Sequence, residues 1–141
     1  MNLKCNGCFG GLPNAFDIGT DDAPFFQGTT PSLTVTVTLP DGVTPVNIAG
    51  AKIYLTCKKD PADSDADALF QLSTTGGAIV ISTQFGATLG QFVATFASAN
   101  TAALSALLSY LYDCRVILSG NVQDVLYGKI TVTPSITQAI T

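Results

Sequence analysis

The 141-residue sequence contains no histidine, no glutamate and no tryptophan, and only 11% of its residues are charged. Without histidine or glutamate, the groups available for proton transfer are ten aspartates, and none lies in a pattern typical of an apolar catalytic pocket. The sequence also lacks a Gly-x-Ser-x-Gly nucleophile motif and the glycine-rich motifs that bind phosphates. We therefore expect no enzymatic activity, and we assign no catalytic, cofactor-binding or metal-binding residue and no cofactor.

Clusters of positive charge and long apolar runs are also missing. The net charge is −4, and the nearest approach to a basic cluster, Lys58-Lys59, is followed by four aspartates. Binding to phosphates needs clustered cations, so we expect no nucleic-acid partner. Mean hydropathy is +0.40, but polar residues interrupt every apolar stretch, which predicts no transmembrane helix and no membrane partner. The first residues do not resemble a secretory signal, so we expect synthesis in a cytoplasm.

The first 30 residues differ from the rest of the chain. They hold five of the 13 glycines and four of the eight phenylalanines, with no sustained period of 2 or 3.6. Their apolar residues need a surface to cover them: Leu12, Phe16, Ile18, Phe25 and Phe26. We predict an extended N-terminal docking arm over residues 1–30, a β-sandwich over 31–134 and a C-terminal tail over 135–141. The alternative is that the arm folds back over its own domain.

A period of 2 begins at Ser32, where Leu and Val alternate with Thr up to Leu39. A turn at Pro40-Asp41-Gly42 and a short edge strand over 43–48 follow. Further strands are predicted over 51–59, 69–72, 79–82, 89–97, 110–118 and 122–132. A short helix is predicted over 98–108. Seven or eight strands joined by turns are typical of an all-β antiparallel sandwich.

The same alternation predicts which side chains face the core. The predicted inward residues are Ile53, Leu55, Cys57, Phe92, Ala94, Phe96, Tyr110, Tyr112, Cys114, Val116, Leu118, Leu126, Ile130 and Val132. Gly128 marks a bulge or a close backbone approach. Lys52, Tyr54, Thr56, Lys58, Asp113, Arg115 and Ile117 are predicted to face outward.

The four cysteines form two possible pairs. Cys5 and Cys8 have the spacing of half a zinc site, or of a redox pair, but a flexible turn with free thiols is the simpler interpretation. Cys57 and Cys114 lie on predicted strands, with Tyr112 two residues before Cys114, which is the spacing of an immunoglobulin-type bridge with its tyrosine corner. Two buried free thiols are the preferred interpretation, and a disulfide is the alternative.

The acidic loop that follows Lys59 contains Asp63, Asp65 and Asp67, the first three ligand positions of a calcium-binding loop. The pattern then fails, because Ala68 stands where glycine is needed and Thr74 where a bidentate glutamate is needed. We interpret the segment as a solvated loop.

Five segments, residues 47–55, 90–93, 100–104, 110–116 and 128–132, carry a resemblance to a known family. Their order of motifs resembles the small immunoglobulin-like domains of bacteriophage virion proteins of the tail, baseplate, neck and fibre-adaptor type. The resemblance covers about residues 31–133 and implies an immunoglobulin-like sandwich. The sequence departs from the pattern in Cys114, in the acidic loop and in the Phe-rich arm.

The resemblance implies a non-enzymatic structural protein of a virion, an assembly adaptor of the head, neck, tail or baseplate. Its expected partners are other virion subunits and copies of itself in a symmetric assembly, and its expected location is the virion, assembled in the host cytoplasm. A charge-poor, Thr-rich sandwich with sheet edges suits such a role. The alternative is a carbohydrate- or calcium-binding module, for which Tyr54 and Tyr127 are the only outward aromatic candidates on strands. A metal or redox protein built on Cys5 and Cys8 is the third hypothesis.

Overall fold

A computed structural model describes residues 2–20, 23–60, 62–105 and 108–134. Two β-sheets pack face to face, which confirms the predicted all-β sandwich with a short helix. The strands are β1 (Asn2–Cys8), β2 (Asn14–Ala15), β3 (Ser32–Thr38), β4 (Lys52–Lys58), β5 (Phe70–Ser73), β6 (Ile79–Ile81), β7 (Gln91–Thr95), β8 (Ser109–Leu118) and β9 (Asn121–Thr131). The helix α1 spans Ser98–Ala102, and two 3-10 turns span Asp65–Asp67 and Gly86–Thr88.

One sheet has the order β1-β3-β7-β6 and the other the order β2-β9-β8-β4-β5. The ladders among β3 to β9 are all antiparallel, as expected for residues 31–134. The first two strands differ, since β1 pairs parallel to β3 and β2 pairs parallel to β9. The predicted antiparallel sandwich is therefore confirmed for β3 to β9, and the two parallel pairings involve strands from the segment that was predicted to be an arm.

The core lies between the two sheets and contains the residues predicted to face inward. All of them are buried except Leu118, which packs against the core while partly exposed. Phe96 lies among aromatic neighbours, with its ring edge-to-face to Phe25 at 5.1 Å and to Phe70 at 5.9 Å. Burying each of these rings stabilises the fold by about 1.5–3 kcal/mol, and aromatic pairs in this geometry add to that.

The N-terminal residues are part of the sandwich, which corrects the prediction of an arm without elements of its own. Phe25 and Ile18 are buried in the common core. Ile18 donates its N–H to the Lys129 carbonyl at 2.8 Å, and the Gln27 N–H donates to the Thr133 carbonyl at 2.9 Å. Ile18, Phe25 and part of Phe16 are covered within the same chain, as the alternative interpretation required, whereas Leu12 and Phe26 remain exposed. The predicted C-terminal tail, residues 135–141, lies outside the described residues.

Two smaller predictions are also corrected. The edge strand predicted over 43–48 is wrong, since the described residues there form only the isolated Thr38–Pro45 bridge. Pro45 has no N–H to donate to a ladder. The N–H groups of Val43 and Thr44 donate to the Asp41 carboxylate instead.

The helix predicted over 98–108 ends at Ala102. Beyond it the Tyr110 hydroxyl accepts the Ser105 N–H at 2.9 Å, a donor that a longer helix would satisfy internally. Residues 106 and 107 lie outside the described ranges.

The sequence predicts either a bulge or a close backbone approach at Gly128, and β9 contains both, but at different positions. The bulge lies opposite Cys114 and Arg115, and it brings both Val125 and Leu126 into the core. Gly128 is the site of a close approach, because a Cβ atom there would collide with the Phe16 carbonyl oxygen. Among the described residues, no helix has the length and apolar character needed to cross a membrane.

Candidate functional site

The outward face of the five-stranded sheet contains a groove of about 730 Å³. Ligand-binding clefts have volumes of about 300–1,000 Å³. Strand alternation explains which side chains reach it, since Leu55 and Cys57 on β4 face the core and Thr56 between them faces outward. The side chains that define this outer groove are Tyr54, Lys58, Gln71, Asp113, Arg115 and Tyr127.

Strand register arranges these side chains in two rows across the sheet. In one row, Tyr127 on β9 is the partner of Asp113 on β8, and the row continues through Thr56 to Gln71 on β5. The Gln71 amide donates to the Thr56 hydroxyl at 2.9 Å. The row therefore presents an aromatic ring, a carboxylate, a hydroxyl and an amide in succession.

The neighbouring row contains the single arginine of the chain. Arg115 Nε donates to Asp124 Oδ1 at 2.9 Å, and a second guanidinium nitrogen lies 3.4 Å from Asp124 Oδ2. The bulge in β9 makes this contact possible, because it resets the register so that Asp124 becomes the partner of Arg115. The hydrogen bond that Arg115 donates to Asp124 raises the pKa of the guanidinium above its usual value. On the other side Arg115 is the partner of Tyr54.

A second ion pair lies at one end of the groove. Lys58 Nζ lies 2.8 Å from Asp65 Oδ1 and donates to the Asp63 carbonyl at 2.8 Å. The acidic loop is thereby held against the end of β4. The hydrogen bond from Lys58, followed by its charge, lowers the pKa of the Asp65 carboxyl.

Asp113 differs from the other carboxylates of the outer groove. It is half-buried, and within the described residues no donor lies within hydrogen-bonding distance of its carboxylate. Burial, followed by the nearby charge of Asp124, raises the pKa of the Asp113 carboxyl above its usual value. An acceptor with unused capacity, lying between Tyr127 and Thr56, is suited to a hydrogen-bond donor from a ligand.

The N-terminal segment contacts β8 and β9, two of the strands that carry the outer groove. Tyr112, which lies on the inward side of β8, donates its hydroxyl hydrogen to the Phe16 carbonyl. This contact spans 96 residues of sequence, unlike a tyrosine corner, which bonds a few residues upstream. Beside it, Gly128 permits the Phe16 backbone to pass against β9. The Asp17 carboxylate then accepts the Lys129 N–H at 3.0 Å.

A second surface lies where several loops meet at one end of the sandwich. Three apolar side chains there are almost fully exposed: Leu12 at 87%, Phe85 at 82% and Val43 at 80%. Leu39, from the loop that also carries Val43, and Val122, near the start of β9, are exposed as well. We call these five residues the apolar end.

Hydrogen bonds between these loops hold the apolar end together. The Gly10 N–H donates to Gln123 Oε1 of the β8–β9 hairpin. Gln84 Oε1 accepts the N–H groups of Ile48 and Gly90, both at 2.9 Å. Gly90 has φ +81, and a Cβ there would lie 2.7 Å from the Val37 carbonyl, so glycine is required where these loops meet.

The cysteines do not form the sites considered from the sequence. Cys57 and Cys114 are buried free thiols on adjacent strands of one sheet, so no bridge joins the two sheets. Cys5 and Cys8 lie three residues apart on β1, which directs their side chains to opposite faces. Burial raises the pKa of Cys5 and of Cys57 to about 12, which keeps these thiols protonated and unreactive at neutral pH.

The acidic loop likewise does not assemble a calcium site. Asp65 contacts Lys58, and Asp67 accepts a hydrogen bond from the Ser64 hydroxyl at 3.1 Å. Within the described ranges, no group of three or more acidic or cysteine side chains is arranged to hold a metal ion.

The sequence predicts part of the outer groove but not the apolar end. Tyr54 and Tyr127 were identified as outward aromatics, and the structure places both on the groove, two strands apart. Asp113 and Arg115 were identified as outward without a role. Their adjacency to the two tyrosines depends on the register of β4, β8 and β9, which the pattern of a single strand does not contain.

No protein-family model and no curated protein matches the chain. Among solved structures, it is similar to the N-terminal domain of phage TP901-1 ORF48, with a TM-score of 0.49 and 10% sequence identity. The similarity covers 94% of this chain and 98% of that chain.

Proposed function

We propose that this chain is a non-enzymatic structural subunit of a bacteriophage virion, an assembly adaptor of the head, neck, tail or baseplate. The observation that carries the proposal is the apolar end. Leu12, Val43 and Phe85 are each at least 80% exposed, and covering exposed apolar side chains with another protein is favourable. Such a surface favours a lasting contact with another protein.

The motifs that resemble phage virion domains support the same proposal, because each has a structural task in this fold. Gly90 permits the close approach to the Val37 carbonyl at the start of β7. Thr101 in α1 is fully buried and donates its hydroxyl hydrogen to the Thr29 carbonyl at 2.9 Å. The Tyr110 hydroxyl accepts the nearby Ser105 N–H, and the Tyr112 hydroxyl donates to the Phe16 carbonyl, 96 residues away in the sequence. The shared motifs therefore specify a scaffold.

The proposed partners are other virion subunits and copies of this chain in a symmetric assembly. We propose that this assembly forms in the host cytoplasm and remains in the virion. Asp41, which lies between Leu39 and Val43, accepts hydrogen bonds from Val43 and Thr44. Its carboxylate would keep these partners when a contact removes water from the apolar end. A subunit repeated by symmetry can hold an assembly through many such modest contacts.

The proposal is tested by mass spectrometry of particles purified by density gradient from the source culture. We expect this chain at a fixed stoichiometry relative to the major virion proteins. Its absence from purified particles, with its presence in the soluble fraction of the same lysate, would contradict the proposal.

A further inference from the structure

The outer groove has a chemistry that neither the fold nor the proposed assembly role requires. The outward face of the other sheet carries Lys4, Asn6, Thr36 and Gln91 around a smaller depression of about 330 Å³. The outer groove has about twice that volume, two tyrosines and both charge signs. Outward positions of a structural sandwich need only polar residues of high strand propensity. The aromatic and charged set therefore points to a ligand.

The charges of the outer groove disfavour an ionic ligand. Arg115 is paired with Asp124, and Lys58 is paired with Asp65. Asp113, which lies between the pairs, repels an anion. The two pairs place two positive and two negative charges around Asp113, so the groove has no cluster of several charges of one sign to select an ionic ligand.

The hydrogen-bonding groups of the groove are suited to hydroxyl groups. A hydroxyl donates one hydrogen bond and accepts others, so it matches a surface where acceptors and donors lie side by side. Asp113 supplies an acceptor that no described donor occupies. Arg115, which is half exposed, supplies donors beyond those used by Asp124. Gln71 retains its carbonyl oxygen while its amide nitrogen bonds to Thr56.

The two tyrosines supply flat apolar surfaces beside these polar groups. Tyr127 is 48% exposed and lies next to Asp113 across the β8–β9 pair. Tyr54 lies next to Arg115 across the β4–β8 pair. Aromatic rings with a polar tip combine apolar contact with hydrogen bonding at a partly wet surface.

From these observations we propose that the outer groove binds a neutral saccharide chain, with sugar rings against Tyr54 and Tyr127 and a sugar hydroxyl donating to the Asp113 carboxylate. The groove lies along the sheet face, and its Ile117 end borders the apolar end through the Ile117–Val122 pair. The proposed sugar contacts use Tyr54, Asp113 and Tyr127, and the proposed assembly contact uses Leu12, Val43 and Phe85. Variants at these two sets of residues therefore test the two proposals separately.

The test is a titration of the isotopically labelled full chain, followed by its amide NMR spectrum. The probes are neutral hexasaccharides of glucose, galactose, rhamnose and N-acetylglucosamine, at concentrations up to about 10 mM. A sialylated oligosaccharide and a chitosan hexamer at pH 6 serve as the anionic and cationic probes. The chitosan carries ammonium groups in place of the acetamides of the N-acetylglucosamine hexamer, and the glucose hexamer, which has neither group, controls for loss of the acetyl groups.

We expect at least one neutral hexasaccharide to shift the amides of β4, β8 and β9. Tyr127→Ala and Asp113→Asn should each weaken that binding about tenfold, since each removes a ring contact or a charge-assisted hydrogen bond. The matched controls are Phe26→Ala and Asp60→Asn, which lie outside the groove and should change affinity by less than about twofold.

Three results would overturn the proposal. The first is the absence of groove shifts with every neutral probe. The second is equal loss of affinity in the groove variants and their controls. The third is tighter binding of the chitosan hexamer or the sialylated probe than of any neutral one. The amide spectrum of each variant shows directly whether it is folded, so a loss of binding in a folded variant is interpretable.

Discussion

The apolar end and the outer groove differ in how the chain builds them. The apolar end consists of side chains on loops and of Val122 near the start of β9, and a few hydrogen bonds accepted by Gln84, Gln123 and Asp41 hold these segments. The outer groove consists of side chains on paired strands, whose positions are fixed by a continuous ladder over β5, β4, β8 and β9. The aromatic rings, the carboxylate and the guanidinium of the outer groove are therefore held at defined distances from one another. The apolar end instead presents exposed apolar surface.

This difference corresponds to two kinds of recognition. A protein interface draws its stability from a desolvated apolar centre and tolerates adjustment of loops on binding. A small-ligand site needs a few polar groups at fixed positions beside apolar surface. One domain presents both kinds of surface, and the experiments below separate them.

The largest effect is expected from removing residues 1–30, which support both surfaces. The truncation deletes β1, β2, the buried Ile18 and Phe25, and Leu12 of the apolar end. Loss of the two core side chains alone costs about 5–10 kcal/mol, comparable to the whole stability of a domain. We expect no cooperative unfolding transition by circular dichroism. A truncated chain that melts cooperatively within a few degrees of the full chain would show that these residues are dispensable for folding.

The next largest effect is expected from disturbing the close packing beneath the outer groove. Gly128→Ala places a Cβ against the Phe16 carbonyl oxygen beneath the groove, and we expect a loss of about 3 kcal/mol in the free energy of unfolding. Gly76→Ala is the control, because its Cβ approaches only the movable Ser73 hydroxyl within 3.4 Å. Urea denaturation measures both variants, and equal losses would contradict the close packing assigned to Gly128.

A smaller effect is expected from Tyr112→Phe, which removes the hydroxyl that donates to the Phe16 carbonyl. The ring stays in the core while the carbonyl loses a partner, so we expect a loss of about 1–2 kcal/mol. Hydrogen exchange should show the extra opening at Ile18 and its partner Lys129. Unchanged protection at these amides would show that the hydroxyl does not hold the N-terminal segment.

The smallest effects compare one carboxylate from each surface and have opposite signs. The folded-state pKa of Asp113 is raised above the usual 3.8, first by burial and then by Asp124. Its ionisation therefore destabilises the fold as pH rises above 3.8. Asp113→Asn should raise Tm at pH 7 by about 2 °C or less after allowance for solvent screening. The difference should vanish at pH values below 3.8, where the carboxyl is neutral in both states.

Asp41, in the turn of the apolar end, provides the contrast. Hydrogen bonds from Thr44 and Val43 lower its pKa in the folded state below the usual 3.8. Its stabilising contribution is present above 3.8 and is lost as pH falls through the lowered pKa. Asp41→Asn should therefore lower Tm at pH 7, with a difference that closes in acid. The same sign for both variants, in melts recorded across pH, would contradict the electrostatic environments assigned to the two surfaces.

The sequence predicted the regular part of this fold because its alternation is visible. Thr alternates with Val in β3, and the inward positions of β4 and β8 are all apolar or aromatic, so a period of 2 is clear. In β1 the inward positions hold Leu3, Cys5 and Gly7. Gly7 lies where Val125 of the β9 bulge occupies the space of a side chain. Because glycine has no side chain, the period of 2 is not visible in the sequence of β1.

The outer groove and the apolar end were less predictable for different reasons. Tyr54 and Tyr127 could be identified as outward, but their relation to Asp113 depends on pairing between strands distant in sequence. The exposure of Leu12 and Phe85 depends on how loops meet, and nothing in their local sequence distinguishes them from the buried Phe25.

If the apolar end joins this chain to a virion, charged side chains placed there should remove the chain from particles. Quantitative mass spectrometry would count copies of the chain in gradient-purified particles from cells that supply Val43→Asp/Phe85→Asp in place of the natural chain. The matched variant is Tyr54→Ala/Tyr127→Ala in the outer groove. We predict that the first variant is folded but lost from particles by at least about tenfold, while the second is incorporated normally. Normal incorporation of the folded Val43→Asp/Phe85→Asp chain would contradict the account.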